Sequence, residues 1–500
     1  MKEIFKISTE SNPNYLAKIC TIDEVFPIEK ADNLVRTVVD GFDMVVSKDT
    51  KPGDVVIYFP VETAISEKFL GGNNLFELSQ SFRNSNASEV EEILNKIDSS
   101  QDEEEVKAMN AKVRSMCGFF NKHGRVRMIK LRGQYSMGFI IPVNSLKNIY
   151  EELKDVDLNQ FVGTQFDTVL DEQFCWKYIP VVPIKHEPDG KTSRWKKLMK
   201  RTQKKFNRLI ENQWEFHYDT KKLEDQIQCI NPDDVVTIST KVHGTSVIIS
   251  NILCKRQLSW IEKIKKFFKL KVQETEYANI YSSRKVIKNQ YINKNVKNYY
   301  NDDVWGCVNN VFSKFITEGM TVYGEIVGYC QGSSQMIQKN HDYGCQVGQW
   351  KFMPYRITMT AVDGSKSEWD IEDVVSWVDW ILESFGQDEA YTANGKVYYI
   401  KDCLMPMDIL YHGKFNELYS DISVNDDFYK NILQRMKNDE TKFLMEKNEP
   451  LCKNKVPREG IVIRIDGDKF TRAWKLKTKR HYSMEAEQHD NGEVDMEEIS

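Results

Sequence analysis

The first 177 residues predict short β-strands separated by turns. Apolar runs with strand character fall at 16–22, 33–39, 42–48, 54–60, 126–131 and 137–143. Turn signals such as Asp40-Gly41 lie between these runs, and short strands at this spacing are typical of a small closed β barrel. Residues 88–115 are polar and helix-forming, so we interpret them as a solvated helical insertion.

Residues 178–230 predict a linker and a basic helix. The segment 178–193 contains three prolines, which favour an extended connection over a packed element. Residues 194–210 then place apolar positions near helical spacing among lysines and arginines, and 258–271 repeat this pattern between two strand-like runs. Both basic helices could contact phosphates through their lysines. The alternative is an apolar face packed on the body with the basic face in water, and we expect membrane binding less than either of these.

Residues 231–484 predict a second domain of strands and helices. The strand-like runs are 235–240, 245–252, 320–329, 350–361, 460–465 and 473–479. Helical patterns such as 371–385 separate them without strict alternation, which indicates an α+β fold. Residues 485–500 carry seven acidic groups and few apolar ones, so we expect a disordered tail.

Composition limits the protein class further. A chain of 500 residues with 41% hydrophobic content is too long to fold around one ordinary hydrophobic core, so we expect two or three domains. The chain has no long uncharged apolar run and no apolar segment near its N-terminus. We therefore expect a cytoplasmic protein without a membrane partner or a secretory signal.

The ten cysteines include no C-x-x-C pair, which argues against a zinc site, a redox motif or a disulfide scaffold. The net charge of -5 does not reveal local patches.

The segment Lys241-Val242-His243-Gly244-Thr245 follows a strand-like run directly. A lysine at a strand end, followed by a glycine that lets the backbone approach a ligand, suits an amine that attacks phosphorus. A lysine ordinarily has a pKa of about 10.4, so a nucleophilic lysine needs nearby positive charge or desolvation. Lys475 and Lys477, two residues apart, project from one face of a strand. They could lower the pKa of the nucleophile and bind a triphosphate.

Further polar residues complete a candidate site. Glu325 and Glu459 each lie beside a glycine in a strand-like run, where a carboxylate could reach a ribose hydroxyl or a hydrated cation. Arg284 offers a forked donor for phosphate, and Tyr355 offers a flat surface for a purine. Each residue alone has an ordinary structural explanation, such as a core aromatic for Tyr355. The ordered set is harder to explain without a site.

This ordered set resembles the motifs of the covalent nucleotidyltransferases, which comprise the ATP-dependent ligases and the capping guanylyltransferases. Motifs I, Ia, III, IIIa, IV and V match Lys241-Val242-His243-Gly244, Ser283-Arg284, Tyr323-Gly324-Glu325, Tyr355-Arg356-Ile357, Glu459-Gly460-Ile461-Val462 and Lys475-Leu476-Lys477. The K-V-H-G-T form of motif I is similar to that of phage and kinetoplastid-editing RNA ligases. Residues 16–143 further resemble the N-terminal OB-like module of RNA ligases of the Deinococcus and Naegleria type.

The resemblance implies an α+β protein with an N-terminal OB-like β barrel and an adenylyltransferase (ATP-grasp-like ligase) domain of antiparallel sheets and helices. It also implies an ATP-dependent RNA ligase. Lys241 would attack the α-phosphorus of ATP and release pyrophosphate, AMP would pass to an RNA 5′-phosphate, and a 3′-hydroxyl would displace it. We expect magnesium as the ion, RNA ends as the partner and a monomeric protein.

The resemblance also implies a role for each matched residue. Arg284 and Glu325 would hold the ribose and phosphate, Tyr355 would stack on adenine, Glu459 would support the water shell of the metal ion, and Lys475 and Lys477 would grip the α-phosphate. His243 and Gly244 would bind the nucleotide beside the nucleophile. Packing of His243 beneath the strand is the alternative for that residue.

Two positions depart from the family pattern. Phage-type relatives usually carry asparagine five residues after the lysine, where this chain has Ser246. Motif IIIa reads Tyr-Arg instead of the common Phe-Asp. Phe352 is therefore a rival to Tyr355 as the residue that stacks on adenine.

Other functions remain open at this point. A DNA ligase or a capping guanylyltransferase would share most motifs, but no C-terminal OB segment is recognisable after motif V. A catalytically inactive RNA-binding protein would use the OB-like module and the basic helices to hold RNA. The presence of every charged motif residue argues against that alternative.

Overall fold

The computed structural model describes residues 3–100, 102–179, 206–289, 303–467 and 471–491. By its contacts the chain divides into two units, Met1–Pro180 and Val181–Ser500. Within the described ranges, no helix combines the length and the apolar character needed to cross a bilayer.

The first unit consists mainly of short antiparallel strands. They are β1 Phe5–Lys6, β2 Ala17–Thr21, β3 Val25–Pro27, β4 Leu34–Val39, β5 Phe42–Ser47, β6 Val55–Phe59, β7 Thr63–Ile65, β8 Ile129–Leu131, β9 Gln134–Ser136, β10 Phe139–Pro142, β11 Gln165–Phe166, β12 Thr168–Val169, β13 Glu172–Gln173 and β14 Cys175–Lys177. The helices are α1 Glu67–Gly72, α2 Ala87–Ser99 and α3 Glu103–Met116.

The core of this unit lies on a four-stranded antiparallel sheet of order β10-β6-β2-β11. Its inward side chains include Ile19, Ile57 and Phe59. None of the sheets in the described part of the unit closes into a hydrogen-bonded barrel. The OB-like barrel therefore stays a prediction, while the antiparallel strand arrangement is what the structure has.

Two local features follow directly from the sequence. Asp40 and Gly41 join β4 to β5 with φ angles of 51° and 81°, and two positive φ angles in a two-residue turn are the type I′ geometry that suits a β-hairpin. The segment predicted as a helical insertion forms α2 and α3, which pack on each other through Val90, Ile93 and Val113.

The second unit contains longer strands. They are β15 Lys221–Lys222, β16 Val235–Lys241, β17 Thr245–Lys255, β18 Thr275–Ser282, β19 Met320–Gly328, β20 Trp350–Thr360, β21 Lys366–Glu368, β22 Glu389–Ala393, β23 Lys396–Tyr399, β24 Ile409–Lys414, β25 Gly460–Ile465 and β26 Arg472–Lys477. The helices are α4 Trp260–Phe267, α5 Val304–Phe312, α6 Ile371–Phe385, α7 Ile400–Cys403, α8 Phe428–Lys437 and α9 Lys479–Asp490.

Two five-stranded sheets organise this unit. One has the order β15-β26-β25-β16-β24 and the other β18-β17-β19-β20-β21. A separate hydrophobic cluster packs on each sheet, one around Val322 and Ile357 and the other around Ile238 and Ile463. Strands β16 and β17 follow each other in sequence but lie in different sheets, so residues 242–244 carry the chain from one sheet to the other.

Of the predicted linker and basic helix at 178–230, residues 180–205 lie outside the described residues, which resume at 206. From there a short stretch packs on the hairpin formed by β17 and β18. The side chains involved are Phe206, Leu209 and Trp214 against Ile252, Cys254 and Ile280.

The acidic tail begins later than expected. Residues 485–490 form the last part of α9, because Thr478 caps the start of this helix, Ala486 is buried and Glu485 contacts His481 one turn earlier. Residues 492–500 lie outside the described part of the chain, so the disorder expected there stays a prediction.

Candidate active site

Lys241 lies where the two sheets of the second unit meet. It is the last residue of β16 and pairs with Gly460 at the start of β25. Its Nζ is 2.9 Å from Oε1 of Glu459, and the side chains of Lys241 and Glu459 are 19% and 1% exposed. The amine therefore faces a buried carboxylate and keeps limited access to solvent.

Lys477 approaches the same carboxylate from the neighbouring strand. Gly460 pairs with Lys241 on one side and with Lys477 on the other. Any Cβ at Gly460 would collide with the carbonyl oxygen of Leu476, so glycine allows the strands to approach here. Lys477 Nζ lies 3.1 Å from Glu459 Oε1. Because both ammonium groups contact one oxygen, at 2.9 and 3.1 Å, they lie within about 6 Å of each other.

The charges of this cluster stabilise one another. Burial alone would raise the pKa of Glu459, but the charges of Lys241 and Lys477 hold it well below its usual range. Burial would lower the pKa of Lys477, but the carboxylates of Glu485 and Glu459 raise it well above its usual value. Lys477 Nζ is 2.7 Å from Glu485 Oε1. The cluster is therefore ionised and paired in the state described here.

Three buried histidines surround this cluster. His243 Nδ1 lies 3.9 Å from Glu459 Oε2, and the backbone N–H of His243 donates to Tyr343 Oη at 2.6 Å. The ring of His243 meets those of His341 and His481 edge to face, with centroids 4.9 and 4.8 Å apart. His243 thus packs beneath the strand end and also lies beside Glu459, and the nucleotide contact expected of it stays a prediction.

A polar cavity opens beside Lys241. Six of the predicted residues line it: Lys241, Arg284, Glu325, Tyr355, Lys475 and Lys477. Glu459 and His243 lie next to the cavity and not in its lining: Glu459 contacts Lys241, and His243 contacts Glu459. The sequence therefore brought together residues from five separate parts of the chain, and the fold places them around one space.

The structure explains why position 244 is a glycine, which the sequence did not reveal. A Cβ at this position would collide with the carbonyl oxygen of Ile326 on β19. The carbonyl oxygen of Gly244 also accepts a hydrogen bond from Gln338 Nε2 at 2.7 Å. The close approach of β19 is enough to require glycine, and the nucleotide contact expected of Gly244 stays a prediction.

Glu325 and Ser246 lie directly opposite each other on β19 and β17. Ser246 Oγ donates to Glu325 Oε2 at 3.3 Å. The serine that replaces the usual asparagine therefore contacts a predicted ribose ligand.

Arg284 forms an ion pair with Asp219. Sequence reasoning missed this partner because Asp219 lies in the segment interpreted as a linker.

The two candidates for adenine stacking lie in different surroundings. Tyr355 lines the cavity, and its carbonyl oxygen accepts a hydrogen bond from Arg464 Nη1 at 3.2 Å. Phe352 is fully buried in the hydrophobic cluster of its sheet. The geometry favours Tyr355 for contact with a ligand.

The cavity also has lining residues that the sequence did not single out, among them His217, Tyr218, Arg356 and Arg464. The Arg356 guanidinium is placed between the rings of Tyr218 and Tyr323, at 4.9 and 4.6 Å from their centroids. Burial would lower the pKa of Arg356, but its hydrogen bond to Glu368 at 2.9 Å raises it. In the sequence, the sign that Arg356 has a special role was the Tyr-Arg pair that replaces the common Phe-Asp in motif IIIa.

One set of side chains has the composition of a metal site. The ligand atoms of His243, Glu459, His481 and Glu485 all lie within 4.8 Å of one another. However, the Lys477 ammonium already contacts both carboxylates of this set, which disfavours direct ligation of a cation. Neither oxygen of Glu459 accepts a hydrogen bond of regular geometry from the described residues. Carboxylate oxygens can accept hydrogen bonds from the water shell of a divalent cation, and the role of Glu459 toward such an ion stays a prediction.

Comparison by sequence finds no matching family model and no matching curated protein. Solved structures of Naegleria gruberi RNA ligase match the fold. A mutant of that enzyme with ATP and Mn has 16% sequence identity and a TM-score of 0.51, and the match covers 94% of this chain and 98% of that chain. A mutant with AMP and Mn gives the same values, and an apo mutant has 15% identity and a TM-score of 0.51. The likeness extends over both units and establishes a shared fold.

Proposed function

We propose that this protein is an ATP-dependent RNA ligase that joins 5′-phosphate and 3′-hydroxyl ends through a lysyl-AMP intermediate on Lys241. The main support is that the ammonium groups of Lys241 and Lys477 contact one buried carboxylate, Glu459, beside a polar cavity. An amine with neighbouring cations is the arrangement that attack on a triphosphate requires. The fold shared with Naegleria gruberi RNA ligase, solved with ATP and Mn and with AMP and Mn, supports the same function.

In the first step, Nζ of Lys241 attacks the α-phosphorus of ATP. A nitrogen–phosphorus bond forms, the bond from the α-phosphorus to the bridging oxygen breaks, and pyrophosphate leaves. The attacking amine must be uncharged, whereas the ion pair with Glu459 favours the ammonium form. We infer that Glu459 releases Lys241 when the site is loaded and that Nζ loses its proton at that point.

The other cavity residues bind and orient the nucleotide. Lys475 and Lys477 would hold the α-phosphate through the transition state, where negative charge must be balanced. Arg284 and Glu325 would hold the ribose and phosphate, and Tyr355 would stack on adenine. His243 and Gly244 would contact the nucleotide beside the nucleophile.

A divalent ion, magnesium in this proposal, neutralises phosphate charge when bound. Glu459 would hold it indirectly, because its oxygens can accept hydrogen bonds from the water shell of the ion. In the later steps AMP passes from Lys241 to the RNA 5′-phosphate, and the 3′-hydroxyl attacks that phosphate and releases AMP.

The remaining parts of the proposal concern the setting of the reaction. We infer that the first unit is an OB-like module that helps to hold RNA ends, that a connection starting near residue 178 leads to the catalytic domain, whose sheet begins with β15 Lys221–Lys222, and that the protein acts as a cytoplasmic monomer. The antiparallel sheets of the first unit are compatible with such a module.

The proposal is tested by incubating the protein with α-labelled ATP and magnesium. We expect a labelled protein band that Lys241→Ala removes. Lys255→Ala is a matched control, because Lys255 is also the last residue of a strand but is exposed and does not line the cavity. Labelling by GTP in place of ATP would indicate a capping guanylyltransferase. Absence of any label would favour an inactive RNA-binding protein.

A further inference from the structure

Helix α4, Trp260–Phe267, is held in shape by hydrogen bonds at both of its ends. Ser259 and Glu262 form a capping box at the start. At the end, the Leu270 N–H donates to the Lys265 carbonyl, and Lys269 has a positive φ of 60°, as in a Schellman motif. Because its ends are satisfied locally, the helix does not depend on packing of its apolar face to satisfy its terminal backbone groups.

The apolar side of this helix faces solvent. Trp260, Phe267 and Phe268 are 72%, 81% and 66% exposed, and Ile261 and Ile264 are also exposed. At about 100° per residue, these five side chains occupy an arc of about 120° on the helix surface. The interpretation in which this apolar face packs on the body is therefore wrong for this helix.

The opposite side of the helix is attached to the β17–β18 hairpin by ion pairs and a hydrogen bond. The Arg256 guanidinium pairs with the Glu262 carboxylate and donates to the carbonyl oxygen of Gln273 at 3.0 Å. Lys266 Nζ lies 2.6 Å from Glu274 Oε2. These contacts occupy the side of the helix opposite the apolar arc, so the helix fits a flat partner and not one that wraps around it.

The charge of the segment is opposite to that of the chain. Residues 256–271 contain six basic residues and one acidic residue, whereas the whole chain has a net charge of -5. The single acid, Glu262, is paired with Arg256. On the helix surface, Lys263 and Lys265 border the apolar arc on either side. Lysines in that position can reach lipid phosphates while apolar side chains enter the boundary between headgroups and acyl chains.

We propose that α4 docks this protein on an anionic lipid membrane surface, with its apolar arc inserted and its lysines on the phosphates. The exposed apolar arc overturns the low rank that the sequence gave to membrane binding by this helix, and a surface-lying helix needs no spanning segment. Single-stranded RNA fits less well, because Ile261 and Ile264 share the face with the aromatic rings and offer no ring on which a base can stack.

Flotation of the full-length protein with vesicles tests the proposal. One vesicle type is phosphatidylcholine alone and the other contains about 30 mol% phosphatidylserine. We expect binding to the anionic vesicles only, and a loss of about tenfold or more in Trp260→Glu/Phe267→Glu and in Lys263→Glu/Lys265→Glu. Val362→Glu is the matched control, because Val362 is 70% exposed in the same unit but lies away from α4.

Several results would overturn the proposal. They are failure of the wild type to float with anionic vesicles, equal flotation of Trp260→Glu/Phe267→Glu, and equal binding to both vesicle types. If the wild type does not float but Trp260→Glu/Phe267→Glu loses RNA affinity, the face binds RNA. If light scattering instead finds a dimer that this variant abolishes, the face joins two copies. Thermal unfolding of each variant verifies that the fold is intact.

Discussion

Lys241 and Glu459 form an ion pair across the edge of two neighbouring strands, with Nζ 2.9 Å from a carboxylate oxygen that is almost fully buried. The pair stabilises the charged form of both groups. A nucleophilic amine must be uncharged, so this contact describes a resting arrangement. Lys241 can become an uncharged nucleophile only when Glu459 gives up this ion pair for another partner.

The contact proposed between Glu459 and a hydrated metal ion predicts a specific effect of Glu459→Gln. The amide is similar in size but lacks the charge that attracts hydrated cations, and loss of such outer contacts typically costs about 10- to 100-fold in metal affinity. We expect the metal concentration for half-maximal adenylylation of Lys241 to rise by about tenfold or more. The measurement is transfer of labelled AMP to the protein across a series of magnesium concentrations.

Glu485→Gln is the control for this prediction. Glu485 contacts Lys477 and His481 and, like Glu459, is an acid next to Lys477. Because it is not the carboxylate we assign to the metal ion, we expect a much smaller change in the metal requirement. Equal metal requirements for Glu459→Gln and the wild type would contradict the role proposed for Glu459.

Tyr355→Ala and Phe352→Ala should have opposite consequences. Tyr355 lines the cavity, and stacking of a base on an aromatic ring contributes about 1–3 kcal/mol. Tyr355→Ala should therefore weaken ATP binding, with a smaller loss in the free energy of unfolding than Phe352→Ala, because Tyr355 is only partly buried. Phe352 is in the core, so its truncation should lower that free energy by about 3–5 kcal/mol. Calorimetric titration with ATP and denaturant unfolding distinguish the two. Stronger loss of ATP binding in a folded Phe352→Ala variant would reverse our assignment.

The sequence predicted those features that depend on local pattern. Strand β16 and the position of Lys241 at its end follow from an apolar run and the residues after it. The turn at Asp40-Gly41 follows from the preference of these residues for positive φ. The convergence of Arg284, Glu325 and Lys477 on one cavity came from family resemblance and not from periodicity.

Features that depend on strand register or on distant contacts could not be predicted. The need for glycine at position 244 arises from the backbone of β19, which is about 80 residues away in sequence. Likewise, Asp219 and Arg284 form an ion pair although they are 65 residues apart in sequence. The outward direction of the apolar side of α4 depends on Arg256 and Glu274, since a helical pattern shows which residues share a face but not what that face meets.

Ser246→Ala should lower the activity of the adenylylation site without unfolding it. Ser246 Oγ donates to Glu325, a proposed ribose ligand, at 3.3 Å. A hydrogen bond of this kind contributes about 1 kcal/mol, which corresponds to about fivefold in rate or affinity. Ser250→Ala is the control, because Ser250 is buried on the same strand and donates to a backbone carbonyl away from the cavity. Equal rates of lysyl-AMP formation in the two variants would exclude the contact as functional.

The nature of the polymer can be tested with nicked duplexes that differ only at the 3′-hydroxyl end. The 2′-hydroxyl distinguishes RNA from DNA, and a site that hydrogen-bonds a hydroxyl discriminates strongly against a ligand that lacks it. We expect sealing to require a 5′-phosphate and to be at least about tenfold faster with a ribose end than with a deoxyribose end. Equal sealing of nicks made entirely of DNA would instead indicate a DNA ligase.

The stability of the second unit should depend on pH through His341. Burial, helped by the neighbouring His243, lowers the pKa of His341 from 6.5 to about 4. Between these values the unfolded chain binds a proton that the folded chain does not, so the free energy of unfolding falls as the pH falls, by about 3 kcal/mol over the whole interval. His341→Gln removes the titrating group and should reduce this slope. His412→Gln, at an exposed histidine, should keep it. Denaturant unfolding at pH 7, 5.5 and 4.5 measures both variants, and parallel curves for His341→Gln and the wild type would show that the buried imidazole does not control acid stability.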